Sequence, residues 1–155
     1  MRSEQTAPVV TFEPTTADDA PALVAIRIAA MRESLERLGR FDPKRARDRF
    51  LATFEPRYTR HIVCDDARVG FLALRPLGEH RLLDHLYVLP VHQGRGIGAA
   101  ALAAVFAEVD AARLSLRVGA LRESDANRFY LRHGFVLVER AEWDNYYTRA
   151  PQACA

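Results

Sequence analysis

Two periodicities divide the chain. From Val9 to Pro14 apolar and polar residues alternate, which predicts an opening strand with one buried face. The period then lengthens. Leu23, Ile26, Ala30, Met31, Leu35 and Leu38 recur at helical spacing, with Thr16-Ala-Asp-Asp as cap candidates and Gly39 as the stop. Asp42-Pro43 opens a second helix that runs to about Phe54, with proline at its first position. Its basic residues Lys44, Arg45, Arg47 and Arg49 are expected on a solvated face. Strands over residues 59–64 and 68–74 flank the short polar link Asp65-Asp-Ala67, the pattern of a hairpin. Gly78-Glu-His80 turns the chain into a further strand over 82–89, closed by Pro90.

Strong helix formers fill residues 99–112 without a breaker, and a strand over 114–118 follows. A shorter helix begins near Ser124-Asp-Ala-Asn127 and stops at Arg132-His-Gly134. Residues 135–140 and 146–149 read as a final antiparallel pair, and the tail from Pro151 to Ala155 is expected to be loose. The strand-helix-strand unit in the middle needs a right-handed parallel crossover. The fold class is therefore α/β: one domain of 155 residues, with a mixed central sheet and about four flanking helices.

The least ordinary stretch is His92-Gln-Gly-Arg-Gly-Ile-Gly98, on the turn from a strand into the long helix. Glycines there admit positive φ and let backbone approach a ligand. The first amides of a helix have no intrahelical partner and sit at the positive end of its dipole, so a phosphate group suits them. A P-loop would need Lys-Ser/Thr after the last glycine, and Ala99-Ala100 stand there instead. Gly94-x-Gly96-x-x-Ala99 satisfies the dinucleotide fingerprint, but the next strand ends in Gly119-Ala120 without the acidic residue that a ribose needs. That reading would make the protein a nucleotide-dependent oxidoreductase.

The third pattern, Gln93-x-x-Gly96-x-Gly98 after a strand and Pro90, resembles the pyrophosphate-binding turn of the GCN5-related N-acetyltransferases (GNAT). A second segment, Asn127-Arg-Phe-Tyr130-Leu-Arg-His-Gly134-Phe135, is similar to that family's Asn, Tyr, Gly-Phe signature. The element order agrees over almost the whole chain. The resemblance implies acetyl-CoA as cofactor, a primary amine as acceptor, and a splayed parallel strand pair that receives the pantetheine arm. It implies cofactor contacts at Leu86, Tyr87, Val88, Gln93, Gly94, Arg95, Gly96, Ile97, Gly98, Ala99 and Asn127. It also gives Tyr130 the role of general acid beside the cofactor.

The chemistry can be weighed on the residues themselves. A phenol near pKa ~10 can protonate a departing thiolate near ~8.5, and Tyr130 lies about one helical turn beyond Asn127. For the base, Asp84 and His85 are adjacent polar residues in an apolar strand, and strict alternation would aim them at opposite faces. Asp84 matches a position where related sequences often carry an acid. His85 has the better unperturbed pKa. Tyr87 and Glu33 are weaker candidates. The acceptor pocket is expected from Met31, Arg32, Phe41, Asp84, Trp143, Asn145 and Tyr146, with Arg32 available for an acceptor carboxylate.

Composition narrows the setting. A formal charge of +2 offers no argument for nucleic acid, and no apolar run reaches membrane-spanning length. Met1-Arg-Ser-Glu-Gln-Thr lacks the apolar stretch of a signal peptide, so a cytoplasmic protein is the expectation. Cys64 and Cys154 form neither a disulfide framework nor a metal site, and no cysteine lies in either motif for an acyl-enzyme. Lys44 is the only lysine, so the cations are nearly all arginine, which suits bidentate contact with phosphate or carboxylate. The aromatic run Glu142-Trp-Asp-Asn-Tyr-Tyr147 fits a pocket wall or the contact of a homodimer. A non-catalytic coenzyme A sensor is the alternative to an enzyme.

Overall fold

The computed structural model describes residues 7–153, so the expectations about Met1–Thr6 and Cys154 lie outside it. The described residues form seven strands and four α-helices: β1 (Val10–Pro14), α1 (Ala20–Arg37), α2 (Pro43–Thr53), β2 (Thr59–Cys64), β3 (Ala67–Leu77) and β4 (His80–Val88) come first. Then follow α3 (Ile97–Ala111), β5 (Ser115–Leu121), α4 (Ala126–Arg132), β6 (Val136–Arg140) and β7 (Asp144–Arg149). The sheet order is β1-β2-β3-β4-β5-β7-β6, antiparallel throughout except for β4 beside β5. One parallel pair is not a doubly wound sheet, which removes the dinucleotide-fold reading.

Local chemistry accounts for the elements. Asp42 caps α2 by accepting from the Arg45 N–H, with Pro43 at the first helical position. Gly39 leaves α1 at φ +68°, the left-handed stop that its sequence position suggested. Asp65 and Asp66 both take positive φ in the β2–β3 hairpin, a conformation these short polar side chains tolerate. The sheet is covered on both faces. Ile97, Leu102, Val105 and Val109 of α3 pack with Leu116 and Val118 of β5, and Tyr130 of α4 joins them. On the other side Leu23 and Ile26 of α1 and Phe50 of α2 enclose Phe71 of β3.

Two irregularities in the middle of the sheet position the site. The β4–β5 pairing runs only from His80↔Ser115 to Leu83↔Val118. Beyond it, Gly119, Ala120 and Leu121 stay paired with β7, and β4 from His85 to Val88 stays paired with β3. A wedge therefore opens between the two central strands, the expected splay. The second irregularity is a bulge in β4. Ala73 faces His85 and Leu74 faces Leu83, so Asp84 is the extra residue. Leu83 and Leu86, three apart, consequently serve the same core.

The Gln152 N–H donates to Asp110, whose carboxylate also accepts two bonds, at 2.8 and 3.0 Å, from the Arg149 guanidinium. That guanidinium stacks over Phe106 at 3.8 Å. Among the described residues no helix is long and apolar enough to cross a membrane.

Candidate active site

The glycine turn has the geometry its sequence implied. Gly94 and Gly96 hold φ of +78° and +80°, and Gly96 is the residue from which α3 departs. Across the turn into α3, the Ala100 N–H is the first to find a helical acceptor, Gly96 O. The preceding amides stay open at the positive end of a 15-residue helix. The Gln93 side chain is committed elsewhere: Nε2 donates to Val88 O at 2.9 Å and clasps the turn to the end of β4. Arg95 is drawn sideways by Asp65 of the hairpin, 3.1 Å away, and by His92. Both members of that Arg95–Asp65 pair are solvated, so an incoming phosphate can take the arginine at little cost.

From the turn, the wedge leads inward along Leu86 and Val88, whose side chains join the α3 core. Tyr130 stands beside it, buried among Phe129, Phe135 and Tyr147. Burial pushes its phenol well above the ordinary tyrosine value, and the neighbouring Tyr87 adds to the rise. The group is therefore protonated at any working pH. Asn127 shares its helix face, as expected, since both meet Tyr147. Its amide is filled by protein: Nδ2 donates to Leu121 O and Ser124 O, and Oδ1 accepts from Asn145 and Tyr147. Only its packing surface is left for a cofactor.

Asp84 and His85 depart from the sequence expectation. The bulge breaks alternation, so both side chains reach the same cavity instead of opposite faces. His85 Nε2 lies 3.8 Å from Asp84 Oδ2, and Asp84 is held by Arg75 at 3.2 Å. Burial lowers the His85 imidazole from 6.5 to about 4, against the pull of Asp84 and with the push of Arg27 and Arg75. This removes the advantage that an unperturbed histidine would have as base. It also has a consequence for stability. Between pH ~6.5 and about 4 the unfolded chain takes a proton at His85 that the native state refuses. Native stability should therefore fall on acidification through that window, with a slope approaching ~1.4 kcal/mol per pH unit. Urea melts at several pH values should show this slope reduced in His85→Gln; an unchanged slope would contradict it.

The cavity itself, of about 700 Å³, lies between α1, α2, the bulge of β4 and the β5–β7 edge. Met31, Phe41, Asp84, Trp143 and Tyr146 line it, and so does Tyr87. Arg32 does not: it turns along α1 to Glu36 at 2.8 Å and covers Phe41. Asn145 is also absent, because its amide holds Asn127. Glu33 is an exposed α1 residue outside the lining. Gly119 is needed on the far wall, where a Cβ would come within 3.0 Å of the Tyr146 ring. Over the mouth, the Arg40 guanidinium lies 3.7 Å from the Trp143 ring and ties the α1–α2 loop to the β6–β7 loop.

The sequence reading missed Arg27. It is 9% exposed, lines the cavity floor, and donates from Nη1 to Ala46 O while its Nε has no partner. A signal existed. Leu23, Arg27 and Met31 are successive i, i+4 positions, so the arginine interrupts an apolar stripe.

A seven-stranded sheet splayed at its one parallel pair, with an amide-lined turn at one end of the wedge, defines an acetyltransferase-type fold. A family model described as the acetyltransferase (GNAT) domain matches residues 57–137, just over half of the chain, and the chain belongs to that family. Among solved structures it is similar to an acetyltransferase from Thermus thermophilus, at 21% identity, with 93% of this chain and 98% of that one covered and a TM-score of 0.74. The PaiA N-acetyltransferase from Thermoplasma acidophilum, in complex with coenzyme A, gives 14% identity, 92% and 99% coverage and a TM-score of 0.72. A GNAT family acetyltransferase from Elizabethkingia anophelis, with acetyl-CoA bound, gives 18%, 91% and 97%, and 0.65. No curated protein matches the chain by sequence.

Proposed function

We propose that the protein is an N-acetyltransferase that moves the acetyl group of acetyl-CoA directly to a primary amine of a small molecule or peptide. The observation that carries this is the wedge beyond Leu83↔Val118, which links the open amides of the glycine turn to the cavity holding Asp84. The residues present fit the cofactor: open amides from Gly94 to Ala99 suit its pyrophosphate, and β4 beyond Leu83 has an unpaired edge for its pantetheine arm. Bound acetyl-CoA supplies a thioester at the inner end of the wedge.

The chain's own residues then have three tasks. The β4 backbone near Leu86 orients the acyl group by hydrogen bonding. Asp84, held in place by Arg75, takes a proton from the acceptor ammonium directly or through a water. The buried Tyr130 hydroxyl, held protonated by its surroundings, donates to the sulfur as charge develops there. Cys64, the last residue of β2, is buried in the core, which favours direct transfer over an acetyl-cysteine there.

The test is thiol release from acetyl-CoA against a panel of amines, amino acids and peptides, with calorimetric binding of coenzyme A alongside. Acceptor-dependent release is expected. Tight coenzyme A binding with no release from any acceptor would instead fit a sensor module, and absence of binding would sink the reading of the turn.

A further inference from the structure

The charges around the acceptor cavity do not balance, and their arrangement points to the acceptor's chemistry. Four arginines line it, Arg27 on the floor and Arg40, Arg45 and Arg49 toward the mouth, with His85 held neutral. The acids are Asp42, Asp84 and Asp144. Asp42 is engaged as the cap of α2 and Asp84 is paired with Arg75, which lies outside the lining. Within α2 the contrast is internal. Lys44 and Arg47 both turn to Asp48, whereas Arg45 and Arg49, one helical turn apart, form no ion pair among the described residues. Arg40 has an aromatic ring and no carboxylate.

Arg27 is the sharper anomaly. A buried guanidinium is retained at a penalty unless its donors are met, and here one donor finds Ala46 O while Nε is unpartnered. It reaches the cavity beside Tyr87 and His85. An anionic group in the cavity would complete Arg27 and gather Arg45 and Arg49. A carboxylate or phosphate meets a guanidinium in two parallel bonds, the geometry arginine supplies and lysine does not.

We infer that the acceptor is an amine carrying an acidic group, a carboxylate or a phosphate, which Arg27, Arg45 and Arg49 hold while its amine lies against Asp84. This rests on the acetyltransferase reading above and adds the acceptor class to it. Asp144, which lines the same cavity beside Tyr146, gives the ammonium a second counter-charge. A bipolar cavity of this kind selects against plain alkylamines and polyamines, whose extra ammonium groups would face the arginines.

Matched acceptor pairs test it: an α-amino acid against its amide, and phosphoethanolamine against ethanolamine. Acceptor binding is followed by calorimetry as well as turnover, with Arg45→Gln/Arg49→Gln and Arg27→Lys variants. The acidic member of at least one pair should bind about tenfold or more tightly than its neutral partner. The double variant should erase most of that preference through KM for the acceptor, with KM for acetyl-CoA unchanged. The carboxylate and phosphate arms identify which acid is read. Neutral acceptors that bind or react as well as acidic ones overturn the inference, as does a preference that survives both variants. Failure of the parent reading is visible separately, as loss of acetyl-CoA binding while amine binding is still scored.

Discussion

Tyr130→Phe is expected to lower kcat by about two orders of magnitude, the scale of a single positioned proton donor. The phenol is buried and its pKa is raised. Its removal therefore strips a donor from the site without opening a cavity, since ring packing against Phe135 and Tyr147 survives in phenylalanine. The raised pKa also sets the pH response. A phenol that stays protonated through the alkaline range contributes no falling limb of its own below about pH 10. Any loss of activity at acid pH belongs to the acceptor amine and its base. Steady-state kinetics with saturating acetyl-CoA, and coenzyme A titrations of both proteins, make the comparison. Affinity for coenzyme A should stay within about a factor of two. A variant with wild-type kcat would remove Tyr130 from the chemistry.

Gly70→Ala should be the most damaging single methyl in the chain. A Cβ at Gly70 would lie 2.1 Å from the Tyr87 carbonyl oxygen and 3.0 Å from the Val88 Cα, both backbone atoms of β4. No rotamer change relieves a clash with main chain, so β4 itself must move, at a cost of about 3 kcal/mol or more. For a chain of this length that is a fall in Tm of roughly 6–12 °C. The same displacement shifts the strand that borders the wedge, so affinity for coenzyme A should drop with stability. Gly78→Ala is the control. It places a side chain at positive φ with nothing within 4 Å, so about 1 kcal/mol is expected from backbone strain alone. Equal melting temperatures for the two variants would refute the steric account.

Much of the fold was legible because it is local. Periods of two and 3.6, Asp42-Pro43, Gly39 and the Arg132-His-Gly134 stop each mark an element at its own position. The glycine turn was legible for the same reason: open amides need small residues where the helix starts. What escaped depends on pairing across the sheet. Leu82-Leu-Asp-His-Leu reads as plain alternation, and only the register against Ala73 and Leu74 reveals that Asp84 is an extra residue. That single offset brought Asp84 and His85 together. Asn145 looked like a pocket residue because its neighbours Trp143 and Tyr146 are; its partner Asn127 is 18 residues away and invisible to a local pattern. Arg45 and Arg49 were assigned to solvent with the rest of a basic helix, since sequence does not say which side of α2 faces the cavity.

The four residue pairs that join β4 to β5 are also, among the described residues, the only main-chain ladder between the two halves of the sheet. Such a sheet is sealed by its ligand as much as by itself. A molecule lying in the wedge binds the folded chain alone, and a hundredfold excess over its Kd adds about 2.7 kcal/mol to stability. The lifetime of the protein then becomes a function of metabolic supply. Ligand linkage of this size makes the folded chain more stable where acetyl-CoA is abundant than where it is scarce.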